Sequence, residues 1–241
     1  MARTKQRKGL GFDDLAAWAS PTPARPVMNR ERLVGEALKL LDEVGFDGLT
    51  MRRLADGLGL QAASLYNHVR DKDELLTLIA DEICKEIPEL DPGKPWRRQL
   101  EWVARECRRV LLGHRDGARV LAATMPIGPN RLRTIEQVLE IMCAAGFSDR
   151  DATNAAFVFN TYVVGFVLDE TQAMPGGGPP PPELLEQGKR AFKALPKDRY
   201  PRLVALADYL FDPSPDRRFE FGLRALLDGL ELRPRRRANK G

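Results

Sequence analysis

Cysteine is scarce in this sequence, and long apolar runs are missing. Cys84, Cys107 and Cys143 are the only three cysteines among 241 residues, and they are widely spaced. An odd, scattered set argues against a disulfide framework and against a zinc cluster. The most apolar run, Ala155 to Leu168, is too short to span a bilayer, and no export signal follows the basic N-terminus. We therefore expect a cytoplasmic protein without a metal site or a membrane segment.

Signatures of catalysis are missing as well. The sequence contains no Ser-x-x-Lys, Gly-x-Ser-x-Gly or His-Glu-x-x-His motif and no dinucleotide-binding fingerprint. Asp169 and Glu170 are adjacent, so on a helix they point about 100° apart and make a poor acid–base pair. We expect no enzymatic activity and no cofactor. An enzyme is the main alternative, beside an oligomeric module that binds no ligand.

The positive charge is concentrated in the two tails. The net charge is +4, with five basic and two acidic residues in 1–28 and five basic and one acidic in 231–241. Residues 1–28 are rich in proline and glycine and show no sustained period, so we predict a disordered basic arm there and a basic tail at 232–241. Basic tails can contact phosphate or stay solvated, and the second is favoured for the C-terminal arginines.

From residue 29 onward the pattern is helical and predicts an all-α fold. Apolar residues recur at helical spacing, and no alternating strand is evident. Asn29, Thr50 and Asp71 are residues that cap helix starts, and Gly45 and Gly59 are residues that end helices. Further helices are expected at about 96–113, 116–123, 130–145, 149–172, 183–194, 200–210 and 215–231.

Residues 50–72 have the spacing of a helix-turn-helix. Ala55 lets two short helices approach, Gly59 can take a positive φ at the turn, and Leu65 can fill the space between the helices. The second helix, expected over 61–69, presents short or polar residues outward, as entry into the major groove requires. We predict an N-terminal three-helix DNA-binding module at 29–88. A C-terminal helical domain for ligand binding and dimerisation is expected at 89–231.

Several segments at fixed spacings resemble the tetracycline-repressor (TetR) family of regulators. They are Gly48 to Ala55, Leu65 to Lys72, Leu75-Leu76, His114 to Val120, Thr134 to Glu136, Ala145 to Ser148, Phe221 to Leu223 and Gly229 to Glu231. The resemblance covers about residues 29–231 and leaves out both tails. It implies a repressor that a small molecule releases from a palindromic operator in double-stranded DNA.

By this resemblance, the DNA surface lies around the second helix of the motif. Tyr66 and Lys72 would contact phosphates, and Arg52 suits a bidentate contact to guanine. Tyr66 could instead pack under the helix, and Lys72 could be a solvated residue. The predicted DNA-contacting set is Thr50, Arg52, Gln61, Ala62, Ser64, Tyr66, Asn67, His68 and Lys72.

Two body helices carry faces suited to pairing with a second copy. Residues 149–172 are apolar nearly all round, and the last helix, 215–231, offers Phe219, Leu223, Leu226, Leu227 and Leu230. A helix that is apolar on every side must be buried on every side. The resemblance implies a homodimer with a four-helix interface and DNA half-sites ~34 Å apart. The alternative is that these helices are buried within one subunit.

The body departs from the family members that bind a magnesium–tetracycline chelate. Leu121 cannot bind Mg²⁺, and Thr161 replaces a histidine, whereas Thr124 is retained. We therefore expect a small, largely apolar effector that binds without metal. The alternative for the apolar positions is plain core. The predicted ligand-binding set is Val103, Cys107, Leu121, Thr124, Val138, Phe157 and Thr161.

The helix expected over 72–87 would carry a ligand-induced change from the body to the DNA-binding module. The segment His114 to Gly117 forms a tight turn close to this path. His114 could sense pH, but a hydrogen bond at a helix terminus is favoured.

Overall fold

The computed structural model describes residues 30–171, 180–212 and 214–233. Within these ranges every regular element is a helix, which confirms the predicted all-α fold. The predicted arm at 1–28, the cap at Asn29 and most of the basic tail lie outside the described residues. The helices are α1 (Arg30–Gly48), α2 (Met51–Gly57), α3 (Ala62–Leu65), α4 (Lys72–Lys85), α5 (Trp96–Gly113), α6 (Gly117–Ala123), α7 (Pro129–Ala144), α8 (Asp149–Thr171), α9 (Pro182–Lys193), α10 (Pro201–Ala205), α11 (Ala207–Leu210) and α12 (Pro215–Glu231).

Local side chains cap three of the helix starts. Thr50 Oγ1 accepts a hydrogen bond at 3.2 Å from the backbone N–H three residues further on, and Asp71 Oδ1 accepts one at 2.9 Å in the same way. Ser214 caps α12 at 3.3 Å, with Pro215 in the first turn. Each oxygen satisfies an N–H that a helix start leaves without an intrahelical partner, so the caps predicted at Thr50 and Asp71 are confirmed.

Gly45, the predicted end of the first helix, takes non-helical dihedral angles (φ 73°, ψ 177°), so the first helical run ends there as predicted, and α1 continues beyond this kink to Gly48. The N-terminal module contains one departure from the prediction. The helix expected over 61–69 is a short α3 followed by a turn. Its end tightens because His68 N donates to Leu65 O at 2.9 Å, an i→i+3 bond of the 3₁₀ type.

A further departure lies near the C-terminus. The helix expected over 200–210 is divided into α10 and α11. Leu206, between them, has φ −104° and ψ 8°, which lie outside the α-helical range.

The described residues divide into two compact units, 30–167 with 233, and 168–171 with 180–212 and 214–232. In the first, α1 packs against α2 and α4, and α2 packs against α3. These contacts bury Leu33, Leu54, Ala55, Leu65 and Ile79. Helix α4 also packs against α5, α6 and α7, so it belongs to both the N-terminal module and the body.

The second unit is built from shorter helices. Helices α9, α10 and α11 pack against one another, with the rings of Phe192 and Phe211 in edge contact at 4.9 Å. Gly188 lies directly against Phe211, and a β-carbon there would collide with the ring. Helix α12 has Phe219, Leu223 and Leu227 buried along one face.

Candidate nucleic-acid interface and effector core

The helix-turn-helix predicted at 50–72 is present. Gly59 forms the turn between α2 and α3 with a φ of 68°, which glycine adopts at little steric cost. Leu60 N donates to Ala55 O at 2.9 Å and closes the end of α2. Ala55 and Leu65 are 1% and 0% exposed, so both have the packing roles that their spacing predicts.

The outward side of α3 and of the turn after it is open to solvent. Tyr66 is 54% exposed, so it does not pack under the helix. Apart from Tyr66, the side chains here are short or polar, a composition that suits contact with base edges and phosphates. The exposed members of the predicted set on this face are Gln61, Tyr66 and Asn67, and the half-buried ones are Ala62, Ser64 and His68.

Two neighbouring arginines of α2 differ in what they bind. Arg53 Nη1 donates to Gly48 O at 3.1 Å, which ties it to the end of α1. Arg52 is exposed, and no hydrogen bond or ion pair joins it to another described residue. The Arg52 guanidinium is therefore available to an external partner, as its predicted contact with guanine requires.

Lys72, at the start of α4, is engaged within the protein. Its Nζ donates to Phe46 O at 3.3 Å and lies 5.2 Å from the centroid of the Phe46 ring. The predicted contact of Lys72 with phosphate stays a prediction. The lysine would have to share its ammonium between Phe46 and the DNA backbone.

The kinked end of α1 meets the turn between α5 and α6. Phe46 N donates to Asp116 Oδ2 at 2.8 Å, and Arg115 Nη1 donates to Glu43 O at 2.7 Å. Arg115 N donates to Asp42 Oδ1 at 3.0 Å. Backbone groups take part in all three bonds, so they fix the course of the chain on both sides of the junction.

An ion pair and a ring contact complete this junction. Arg119 Nη1 and Nη2 donate to the two carboxylate oxygens of Asp47, each at 2.8 Å, and the Arg119 guanidinium lies 4.3 Å from the Phe46 ring centroid. The hydrogen bond from Arg119 lowers the pKa of Asp47, and the same bond raises the pKa of Arg119. Paired geometry of this kind suits arginine better than lysine.

His114 lies between two carboxylates at the end of α5. Its Nε2 is 2.9 Å from Glu86 Oε1, at the end of α4, and its Nδ1 is 3.6 Å from Asp42 Oδ2. The side chain is 11% exposed. His114 thus makes a hydrogen bond at a helix terminus, as predicted.

Most of the predicted ligand-binding residues lie in the core formed by α4 to α7. Val103, Leu121 and Val138 are 2%, 7% and 6% exposed, on three helices that pack around α4. Cys107 follows Val103 by one turn of α5, and burial raises the pKa of its thiol to about 12. Thr124 Oγ1 donates to Val120 O at 2.9 Å, just beyond the end of α6.

Phe157 and Thr161 have a different setting. They lie one turn apart on α8, and both are exposed in the single chain, Phe157 by 72%. The structure therefore does not bring them into the core that contains Val103 and Leu121.

A reciprocal capping arrangement between α4 and α7 is not evident from the sequence. Asp81 Oδ1, on α4, accepts hydrogen bonds from Asn130 N and Arg131 N at 2.9 Å each, so it caps the start of α7. In return, Arg133 Nη2 donates to Cys84 O and Ile87 O at 3.3 and 3.1 Å, at the end of α4. The only sequence signal is negative, because Gly128 precedes α7 where a capping side chain would normally stand.

The side chain of Arg131 joins the same region to the end of α6. It donates to Leu121 O at 2.9 Å, to Thr124 Oγ1 at 2.7 Å and to Met125 O at 3.1 Å. Burial lowers the pKa of Arg131 and raises that of Asp81, although the hydrogen bonds to Asp81 act in the opposite direction. Thr124 is thereby held at the edge of the predicted effector core.

The described residues contain neither a metal-binding cluster nor a membrane-spanning helix. In residues 30–171, 180–212 and 214–233, no three His, Cys, Asp or Glu side chains are placed to bind one metal ion. None of the helices in those ranges has the length and apolar character needed to cross a membrane.

Two family models match the chain, one on each side of residue 80. Residues 33–79 match "Bacterial regulatory proteins, tetR family", and residues 87–233 match "Tetracyclin repressor-like, C-terminal domain". Together they cover the helix-turn-helix and nearly all of the body.

Individual relatives agree with these models. The class A tetracycline repressor of transposon 1721 from Escherichia coli is 38% identical over 206 residues, which are 83% of this chain and 89% of the repressor. The TetR family protein ActR of Streptomyces coelicolor, crystallised with actinorhodin, is 36% identical with a TM-score of 0.77, over 85% of this chain and 97% of ActR. BioQ, crystallised with its double-stranded DNA operator, is 30% identical with a TM-score of 0.64, over 86% of this chain and 100% of BioQ.

Proposed function

This chain belongs to the TetR family of bacterial transcriptional regulators, and from that premise we propose how its own residues bind DNA and an effector. The family consists of ligand-responsive repressors with an N-terminal helix-turn-helix. We propose that residues 29–88 form the DNA-reading module and residues 89–231 the effector-binding and dimerisation body. The regulator would act in the cytoplasm and would catalyse no reaction.

The exposed face of α3 carries the DNA-binding proposal. Tyr66 and Asn67 lie in the turn directly after α3, whose last residue, Leu65, is fully buried, so their side chains are accessible next to a helix that is anchored in the core of the module. Arg52 adds an uncommitted guanidinium on the neighbouring α2. We propose that the side chains of Tyr66 and Lys72 contact phosphates while Arg52 reads a guanine. Thr50, Gln61, Ala62, Ser64, Asn67 and His68 complete the surface.

Selection of bound sequences from random duplex DNA tests this proposal. The selected site should be a palindrome with half-sites about one helical turn apart. Binding to it should weaken steeply with salt, whereas a scrambled duplex should bind much more weakly at every salt concentration. A protein that enriches no sequence would refute the proposal.

Exposed apolar side chains support a homodimer. On α8, Phe157 and Val158 are 72% and 51% exposed in the single chain, and on α12 Phe221 is 71% exposed. Large apolar side chains at such exposure mark surfaces that another molecule covers. We propose that each helix pairs with its symmetry mate in a second copy, where Phe157 and Thr161 become enclosed. Sedimentation analysis of the full chain should give a dimer.

The effector region favours an apolar ligand. Val103, Leu121 and Val138 offer hydrocarbon, Cys107 offers a neutral thiol, and Thr124 offers a polar group at the edge. The side chains of Leu121 and Val138 have no atom that can bind Mg²⁺, since hard cations prefer oxygen ligands. We therefore propose a small, largely apolar effector that binds without metal. Isothermal titration with tetracycline, with and without Mg²⁺, tests this, and tight magnesium-dependent binding would refute it.

We propose that the effector acts by a shift in population between two arrangements of the body. It must bind one arrangement more tightly than the other, or the equilibrium does not move. Two routes lead from the body to the reading module: the helix α4 itself, and the contacts of Asp116 and Arg119 with Phe46 and Asp47. The second route reaches α1 without passing along α4.

A further inference from the structure

Glu74 places a buried carboxylate inside the DNA-reading module. Its side chain is 9% exposed although it lies in the first turn of α4. Arg30 Nη2 donates to Oε1 at 2.9 Å, and Arg70 donates to Oε2 through its backbone N at 2.7 Å and its Nε at 3.2 Å. A carboxylate removed from water needs such charged and hydrogen-bonding partners to be tolerated.

The donors to Glu74 come from two other parts of the module. Arg30 is the first residue of α1, and Arg70 lies in the turn between α3 and α4. The shortest of the three bonds, at 2.7 Å, uses the Arg70 backbone N–H. That bond fixes the path of the main chain directly after the reading helix, which a contact between two flexible side chains would not do.

We propose that Glu74 is a positioning residue for operator recognition. By holding the exit of α3 against the start of α1, it sets the orientation in which Tyr66 and Asn67 meet the DNA groove. The inference rests on the proposed DNA-reading function and assigns a role within it to a residue that does not contact DNA. When the reading helix is misplaced, its side chains no longer form hydrogen bonds with the base edges. Attraction to phosphates is retained, because it depends mainly on charge.

This role has an electrostatic signature that general destabilisation lacks. A carboxylate near the DNA surface repels phosphates, so its neutralisation alone should strengthen non-specific binding. Loss of positioning should weaken operator binding. The two effects of one substitution therefore have opposite signs, which separates positioning from loosening of the whole module.

The test compares Glu74→Gln with wild type in the full-length chain. Glutamine has the same shape but one acceptor oxygen, so it cannot satisfy both Arg30 and the Arg70 turn. With the selected operator, we expect affinity to fall about tenfold, the scale of one lost charge-assisted hydrogen bond. With a random duplex of equal length, affinity should stay the same or rise.

The matched control is Glu82→Gln on the same helix. Glu82 forms a local ion pair with Lys85 at 2.8 Å and is half-buried, so the substitution makes the same charge change away from the α3 exit. We expect the ratio of operator affinity to random-duplex affinity to stay at the wild-type value. If that ratio falls equally in both variants, charge alone explains the effect and the proposal is overturned.

Four other outcomes also decide between acceptance and rejection of the proposal. An unchanged ratio in Glu74→Gln at an unchanged melting temperature would overturn the proposal, and so would an equal loss of both affinities. If Glu74→Gln does not fold, Arg30→Gln is the substitute, because it removes one donor to Glu74 from the exposed side. It should lower the ratio of operator affinity to random-duplex affinity by a smaller factor. An unchanged ratio in Arg30→Gln would count against the positioning role of Glu74. A wild-type protein without preference for any sequence would refute the proposed function itself, which distinguishes the two failures.

Discussion

The backbone N–H of Phe46 donates a hydrogen bond to Asp116 Oδ2 at 2.8 Å, and this bond joins the end of α1 to the turn before α6. Phe46 follows the kink at Gly45, where a β-carbon would meet Asp116 Oδ2 at 2.9 Å and Arg115 Nε at 3.1 Å. The glycine thus gives α1 its kink and lets the turn approach closely. The DNA-reading module and the body meet here through main-chain contacts.

Replacing Asp116 with Ala should lower the free energy of unfolding by ~1–3 kcal/mol, because it leaves Phe46 N without its acceptor and puts alanine at positive φ. Asp116 has a φ of 59°. Asn tolerates that φ and keeps one acceptor oxygen, so Asp116→Asn should lower the free energy of unfolding by less than Asp116→Ala does. Denaturant titration of both variants checks this. Equal stability of the Ala and Asn variants would contradict the assigned role.

Arg52→Ala should weaken operator binding by ~1–3 kcal/mol and relax the preference at one base position. The reason is that its exposed guanidinium is the one we assign to guanine. Anisotropy titrations against the operator and its single-base variants measure both effects. Arg53→Ala is the paired comparison, since Arg53 is tied to Gly48 O, and it should lose affinity without a change in base preference. An unchanged base preference in Arg52→Ala would contradict the assignment of Arg52 to a guanine contact.

Gly128→Ala should destabilise the protein by ~1–3 kcal/mol, since it strains the backbone and displaces a capping carboxylate. Gly128 has a φ of 115°, and a β-carbon there would collide with the Asp81 carboxylate that caps α7. Gly35→Ala is the contrasting change, because Gly35 lies inside α1 with nothing within 4 Å of the added carbon. The free energy of unfolding of the Gly35→Ala variant should rise by ~0.5–1 kcal/mol. Thermal melts of the two variants should move in opposite directions.

The three thiols should react in two classes with a disulfide reagent at pH 8. Burial raises the pKa of Cys84 to about 11 and that of Cys107 to about 12, so both stay protonated and unreactive at that pH. Cys143 is exposed. We expect Cys143 to react fast in the native protein, and buried Cys84 and half-buried Cys107 to react much more slowly until the protein is denatured. Rapid labelling of Cys84 under native conditions would show that α4 and its neighbours open more readily than their packing indicates.

The features that could be predicted from sequence are those set by nearby residues. Thr50, Asp71 and Ser214 each cap a helix through an N–H three residues away, so residue type and position are enough. Ala55 and Leu65 likewise meet a packing requirement between two neighbouring helices. Gly59 meets the requirement for one positive φ at the turn between them. These features define the helix-turn-helix, which explains why it is evident from one sequence.

The features that could not be predicted depend on residues far apart in the chain. Asp81 caps a helix that starts 48 residues later, at Pro129, and no local pattern indicates it. Gly45 interrupts the helical dihedral angles as its residue type predicts, but the turn that follows it to Gly48 is bonded to Asp116, which lies 70 residues away from Phe46 in the chain. Glu74 lies three residues after the cap Asp71, where a glutamate often accepts from the backbone N–H of the cap residue. Its carboxylate instead accepts from Arg70 N and from Arg30, which lies 44 residues earlier in the chain.

Because α4 and α7 each complete the other's hydrogen bonding, neither helix end can slide alone without leaving buried donors or carbonyls unpaired. Amide exchange in the last turn of α4 and the first turn of α7 should therefore proceed as one cooperative opening. An effector that repositions this corner of the body must consequently move both segments in a single discrete step.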